Sequence, residues 1–139
     1  MKTKILLFCF SVSVIIFLDG CKKYEDGPSI TLRTAKSRIT NQWSYKETLY
    51  DGRTPNTGFE RLGNAYIGDN IDIKKDGSYV AGSTSSYSGN WSFSSDQKSV
   101  TFTPNGSSSS DTYIILKLTN KEFWVQYDND GHNWEFHYE

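Results

Sequence analysis

Short runs of alternating apolar and polar residues, most joined by links of three or four residues, constrain this chain more than anything else in it. Trp43, Tyr45 and Leu49 share one face of the run Gln42–Tyr50, and Glu47 shares that parity. Ile71 and Ile73 alternate with Asp72 and Lys74, Tyr79 and Ala81 with Ser78 and Val80, and Trp91 and Phe93 with Asn90, Ser92 and Ser94. Val100 and Phe102 follow, and then Asp111–Leu118, which is apolar on both faces in its middle. Phe123, Val125 and Tyr127 make the next run, and Trp134, Phe136 and Tyr138 the last. Asp76-Gly77 between two runs is a strong hairpin signal. The links Lys75–Ser78, Ser95–Lys98, Thr119–Lys121 and Asp128–Gly131 are too short for helical crossovers, so neighbouring strands run antiparallel. The predicted class is all-β, an eight-stranded antiparallel up-and-down meander. Such a meander either closes into a barrel or folds as a sandwich. The barrel is the better fit, because only Asp51–Asn70 and Pro104–Ser110 are long enough to cross between sheets.

Composition agrees with the pattern. From Cys21 onward there are 21 Ile, Val and Thr but only 8 Ala and Leu, together with 18 aromatic residues. β-Branched and aromatic side chains suit a pleated, half-buried surface, and good helix formers are scarce. A short helical turn within Ile30–Ile39 is the one helical expectation.

The first 20 residues read as a leader. Lys2 and Lys4 precede Ile5–Leu18, a 14-residue uncharged stretch followed by Leu18-Asp19-Gly20-Cys21. A spanning helix needs about 20 apolar residues, so this stretch reads as a secretory signal. Leu18-Asp19-Gly20-Cys21 resembles the lipobox of bacterial lipoproteins, which implies that Cys21 is acylated and becomes the first residue. A plain secreted protein with a terminal thiol is the alternative. Cys9 leaves with the leader, so no internal disulfide can form. Residues 1–20 are then signal peptide, 21–29 a lipidated cysteine with a flexible solvated tether, and 30–139 the folded domain. Losing Lys2, Lys4 and Asp19 from 15 basic and 16 acidic residues leaves 13 against 15, a balance of −2. That argues against nucleic acid, which demands a concentrated basic face.

Several short segments carry a family resemblance. They are Cys21-Lys22-Lys23-Tyr24-Glu25, Trp43 opening the first strand, Lys75-Asp76-Gly77-Ser78-Tyr79, Gly89-Asn90-Trp91 and Leu118-Thr119-Asn120-Lys121-Glu122-Phe123. Together they are similar to the lipocalin-like domains of lipoproteins from Bacteroidetes-type bacteria. The resemblance implies a lipid-anchored barrel in the cell envelope, and Lys22 after the cysteine suggests the outer membrane.

Motifs for chemistry are sparse. His132 and His137 have opposite parity in one strand, and no cysteine remains to complete a zinc site. Asp128-Asn129-Asp130-Gly131 resembles part of a calcium loop but is simpler as a hairpin turn. The serines crowd into Gly82–Ser88 and Ser107–Ser110 without a nucleophile elbow. No cofactor, metal or catalytic role is therefore expected. Tyr45, Tyr79, Trp91 and Phe136 are expected inward, with Tyr50, Tyr87 and Trp124 on the solvent side.

The candidate ligand site joins Tyr45 and Glu47 to Phe59, Arg61 and Tyr66 of the long connection, which would fold as a flap over the barrel mouth. Two functions stand at this point. One is an anchored barrel holding a small apolar or amphipathic ligand. The other is a filled barrel acting as a structural module, its loops meeting an envelope protein or a glycan.

Overall fold

The computed structural model describes residues 23–27, 32–56, 70–82 and 87–139. They form one closed antiparallel barrel in which every strand pairs with its sequence neighbour and the last pairs with the first. The strands are β1 (Gln42–Tyr50), β2 (Asn70–Ile73), β3 (Ser78–Ala81), β4 (Tyr87–Phe93), β5 (Ser99–Pro104), β6 (Asp111–Leu118), β7 (Phe123–Asn129) and β8 (His132–Tyr138). A five-residue helix, α1 (Ala35–Ile39), precedes them where the helical turn was expected. Closure leaves no sheet edge to aggregate, which is why an up-and-down meander can expose one face to water and bury the other.

Turn chemistry sets the register. Asp51-Gly52 and Asp130-Gly131 hold positive φ at both residues, 49° and 73° in the first and 50° and 80° in the second. This is the two-residue turn whose twist matches that of the flanking strands. The first of these closes a small hairpin, Tyr50 pairing with Arg53, where the sequence reading began a long connection. Asp76-Gly77 does close β2 onto β3, but as the end of a four-residue turn in which Gly77 is left-handed at φ 93°. Asp76 Oδ1 accepts the Ser78 N–H at 2.9 Å. The β4–β5 turn repeats the design with Asp96 accepting from the Lys98 N–H at 3.0 Å, while Gln97 takes the left-handed position at φ 58°.

The interior is aromatic. Trp43, Tyr79, Tyr113, Tyr138, Phe102 and Phe123 are the largest of the fully buried side chains, each contributing about 1.5–3 kcal/mol or more by leaving water. Trp91 also pins a turn, its indole N–H donating to the Lys74 carbonyl at 2.9 Å. Gly89 is inward because nothing larger fits. A Cβ there would lie 2.1 Å from the Thr103 carbonyl oxygen and 2.8 Å from the Tyr79 ring.

Two assignments in β1 are corrected, Glu47 from inward to outward and Tyr50 from outward to inward. Pairing with β8 runs Tyr45↔Tyr138 and then Glu47↔His137, so Lys46 is the extra residue of a β-bulge. A bulge shifts the alternation by one residue. Glu47 therefore faces outward, while Thr48 and Tyr50 face the core. Tyr50 was expected on the solvent side and is instead buried, its ring 5.0 Å from that of Trp134. A second irregularity, between Ile115 and Lys117, explains why β6 is apolar on both faces. Leu116 is turned outward and covered by the N-terminal segment, whose Asp26 N–H donates to the Leu116 carbonyl at 2.9 Å.

That covering contact corrects the solvated-tether expectation for residues 23–27. Tyr24 is 3% exposed, and the Arg38 guanidinium lies 5.7 Å from its ring centre. Helix α1 caps the same end of the barrel. Thr34 accepts the Ser37 N–H at its start, the Trp43 indole donates to Ile39 at 2.8 Å, and Arg38 Nη1 donates to the Leu118 carbonyl at 2.9 Å. The opposite end, termed the mouth, is where β1 finishes and β6 begins.

Candidate functional site

Three of the polar groups buried without partners among the described residues lie on the mouth side of the interior. Asp111 is the first residue of β6 and pairs with Phe102 of β5, and Tyr113 stands two residues further in, opposite Val100. That parity turns both Asp111 and Tyr113 toward the axis. Tyr113 is 0% exposed, its ring 5.4 Å from Tyr127, 6.0 Å from Phe102 and 6.2 Å from Phe136. Tyr79 reaches the same region from β3, its ring 5.0 Å from Phe102. The Tyr79 and Tyr113 hydroxyls and Asp111 Oδ2 are buried and have no hydrogen-bond partner among the described residues.

The electrostatics of the three groups are linked. Burial pushes the Tyr113 hydroxyl far above the usual tyrosine range, and the Asp111 charge adds to the effect. Burial and then Asp111 raise Tyr79 in the same way. The Asp111 carboxyl is itself raised by loss of water. One carboxylate and two hydroxyls surrounded by aromatic rings can bind the polar end of a small molecule whose body rests on the rings. Orphaned buried polar atoms of this kind are normally met by water or by a ligand.

The expected site residues fall elsewhere. Tyr45, expected inward, is 39% exposed; it lies opposite Tyr138, towards the helix-capped end, and its hydroxyl is 3.0 Å from Thr48 Oγ1. Glu47 lies on the outer wall, so neither residue stands at the mouth. Phe59, Arg61, Tyr66 and Cys21 lie outside the described residues. The sequence signal for the observed cluster was an aspartate at an inward strand position, where acids are scarce. It was hidden because β6 was read as apolar on both faces, leaving its parity unassigned.

Glu47 belongs to a second cluster outside the barrel. His137 is 6% exposed, stacked on Trp124 with ring centres 4.2 Å apart and planes 11° from parallel. Lys117 Nζ covers the Trp124 ring at 4.0 Å and meets Glu122 at 3.0 Å. Each imidazole nitrogen faces a carboxylate, Glu47 at 3.1 Å and Glu135 at 3.3 Å. The ring is spent on packing and pairing and presents no open edge. His132, at the opposite parity, is 2.9 Å from Asp51 at the mouth rim. Among the described residues no three His, Cys, Asp or Glu side chains converge as a metal site.

No protein-family model matches the chain, and neither a curated protein nor a solved structure is significantly similar to it.

Proposed function

We propose that this is a secreted, lipid-anchored protein of the cell envelope, a lipocalin-like barrel that takes a small amphipathic ligand at the mouth. The observation that carries the ligand reading is the set of buried atoms on Tyr79, Tyr113 and Asp111 that have no partner among the described residues. The leader and Leu18-Asp19-Gly20-Cys21 support the anchor, with Cys21 acylated and the outer membrane as its address. The ligand's apolar body would lie against Phe102, Tyr127 and Phe136, and its polar end against the two hydroxyls and the carboxylate.

The second reading is a non-catalytic interaction module with a filled barrel, meeting an envelope protein or glycan through its loops. The continuous ring contacts from Tyr79 through Phe102 and Tyr113 to Phe136 favour it. Native mass spectrometry of protein purified from its own cells separates the two. A bound small molecule in the unmodified protein, lost from both Tyr113→Phe and Asp111→Asn, is the expected result. Ligand-free protein, or a molecule held equally by both variants, removes the mouth site and leaves the interaction module.

A further inference from the structure

An acyl anchor at Cys21 has little slack. Lys23 is only two residues further on, and two extended residues reach at most about 7 Å. From Lys23 the chain is fixed to the barrel rather than free. Lys23 Nζ donates to Gln97 Oε1 in the β4–β5 turn. Tyr24 is buried against Arg38, and the Asp26 N–H joins the outer side of β6. A lipid chain on Cys21 would therefore start within about 7 Å of Lys23.

The flank suits a lipid surface. A groove of about 240 Å³ runs between the N-terminal segment and β6, lined by Lys23, Glu25, Lys98, Ile114 and Leu116. Ile114 is 46% exposed on its wall, and Leu32, just ahead of α1, is wholly exposed. Among the described residues the two ends of the barrel also differ in charge. The mouth carries Asp51, Asp111, Asp128 and Asp130 beside Arg53. The turns at the helix end carry Lys74, Lys75, Lys98 and Lys121. Against these stand Asp76, Asp96 and Glu122, the last paired with Lys117, and Glu25 and Asp26 of the N-terminal segment, while Lys23, Lys36 and Arg38 keep the balance at this end positive. Lysines and exposed aliphatic side chains around an acyl attachment point match an anionic bilayer, which would repel the aspartate-rich mouth.

We infer that an anionic lipid bilayer is the partner of this surface: the barrel rests on the membrane through Lys23, Lys98, Ile114 and the α1 end, with its mouth held away. The inference rests on the proposed acylation of Cys21. It turns the N-terminal segment from a spacer into a bracket that sets orientation.

Spin labels on the mature lipidated chain test it. Ile114→Cys, Lys98→Cys and, at the mouth, Asn129→Cys are labelled singly and reconstituted in vesicles of phosphatidylethanolamine and phosphatidylglycerol. The same labels on unacylated Cys21→Ala protein in solution supply the reference. Collisions with a water-soluble nickel chelate should fall several-fold at positions 114 and 98 on reconstitution and stay unchanged at 129. Replacing Tyr24 by Ala, which frees the bracket, should restore access at 114 without altering acylation. Acylated protein in which 114, 98 and 129 are equally open to nickel would overturn the orientation and leave the anchor standing. Mass spectrometry showing an unmodified Cys21 in the membrane-extracted protein would overturn both.

Discussion

Gly89→Ala tests the packing of the barrel at its tightest point. Gly89 pairs with Tyr79 on one side and Pro104 on the other, and its φ is not in the left-handed region, so the demand for glycine is spatial rather than conformational. A methyl group would stand 2.1 Å from the Thr103 carbonyl oxygen, 2.8 Å from the Tyr79 ring and 2.9 Å from Pro104 Cα. Two of these neighbours are backbone. Relief requires separating β4 from β5 and displacing a fully buried ring, which puts the change at the upper end of the 1–3 kcal/mol usual for overpacking, about 3 kcal/mol. For a domain near 110 residues that is a fall in Tm of roughly 10–15 °C. The control is Gly106→Ala, at φ 77° with nothing within 4 Å of the added carbon; only the left-handed backbone is penalised there, at about 1 kcal/mol. Urea unfolding followed by tryptophan fluorescence gives both numbers. Equal midpoints for the two variants would refute the claim that β4 and β5 close over Gly89 with no room for a side chain.

Three other outcomes follow from the interior. Trp91→Ala removes a buried indole and its bond to Lys74 and should lose about 3–5 kcal/mol by calorimetry; wild-type stability would show that Trp91 faces outward. In ligand-free protein Tyr113→Phe removes an unpartnered hydroxyl and should gain about 1 kcal/mol, whereas a clear loss would mean that the hydroxyl is bonded. Tyr24, Tyr79 and Tyr113 all titrate above the ordinary value of 10.0, each chiefly because burial disfavours the phenolate. Their contribution to stability is complete below that value and is lost as pH rises past it, because the unfolded chain ionises first. Tyrosinate absorbance and far-UV circular dichroism should therefore change together in alkali; early ionisation of every tyrosine with the sheet intact would contradict their burial.

The barrel was legible because its causes are local. Period-two alternation fixes which side of a strand faces the core, and short polar turns force antiparallel neighbours, so Trp43, Tyr79, Trp91, Phe102 and Phe136 were placed correctly without tertiary information. The site was not legible, because it depends on where alternation breaks. Asp111 and Tyr113 gain their meaning from pairing with Phe102 and Val100, a register that the uniformly apolar middle of β6 does not announce. The buried N-terminal turn was missed for a similar reason. Lys22-Lys23-Tyr24-Glu25-Asp26 has the composition of a linker, and only the outward-facing Leu116, released by the irregularity in β6, gives Tyr24 something to cover.

The bulge at Lys46 allows the two accounts of β1 to be set against each other. Strict alternation from Trp43 would put Glu47 and Leu49 inside, and deleting any residue between 45 and 47 would then turn the rest of the strand over. With Lys46 as the extra residue, its deletion instead leaves a regular strand: Tyr45 still meets Tyr138, Glu47 still meets His137, and Thr48 and Tyr50 still face the core. What is lost is an exposed pairing with Glu139 and some local twist. Removal of Lys46 should therefore lower Tm by no more than about 4–8 °C, near 1 kcal/mol. Removal of Thr48 shifts Tyr50 to the outer face and exposes a ring now packed on Trp134, a further loss of about 1.5–3 kcal/mol. Thermal unfolding of the two deletions, read with Glu47–His137 proximity by nuclear Overhauser contacts, decides the matter. If the Lys46 deletion is the more damaging of the two, the bulge is misplaced and Glu47 returns to the interior.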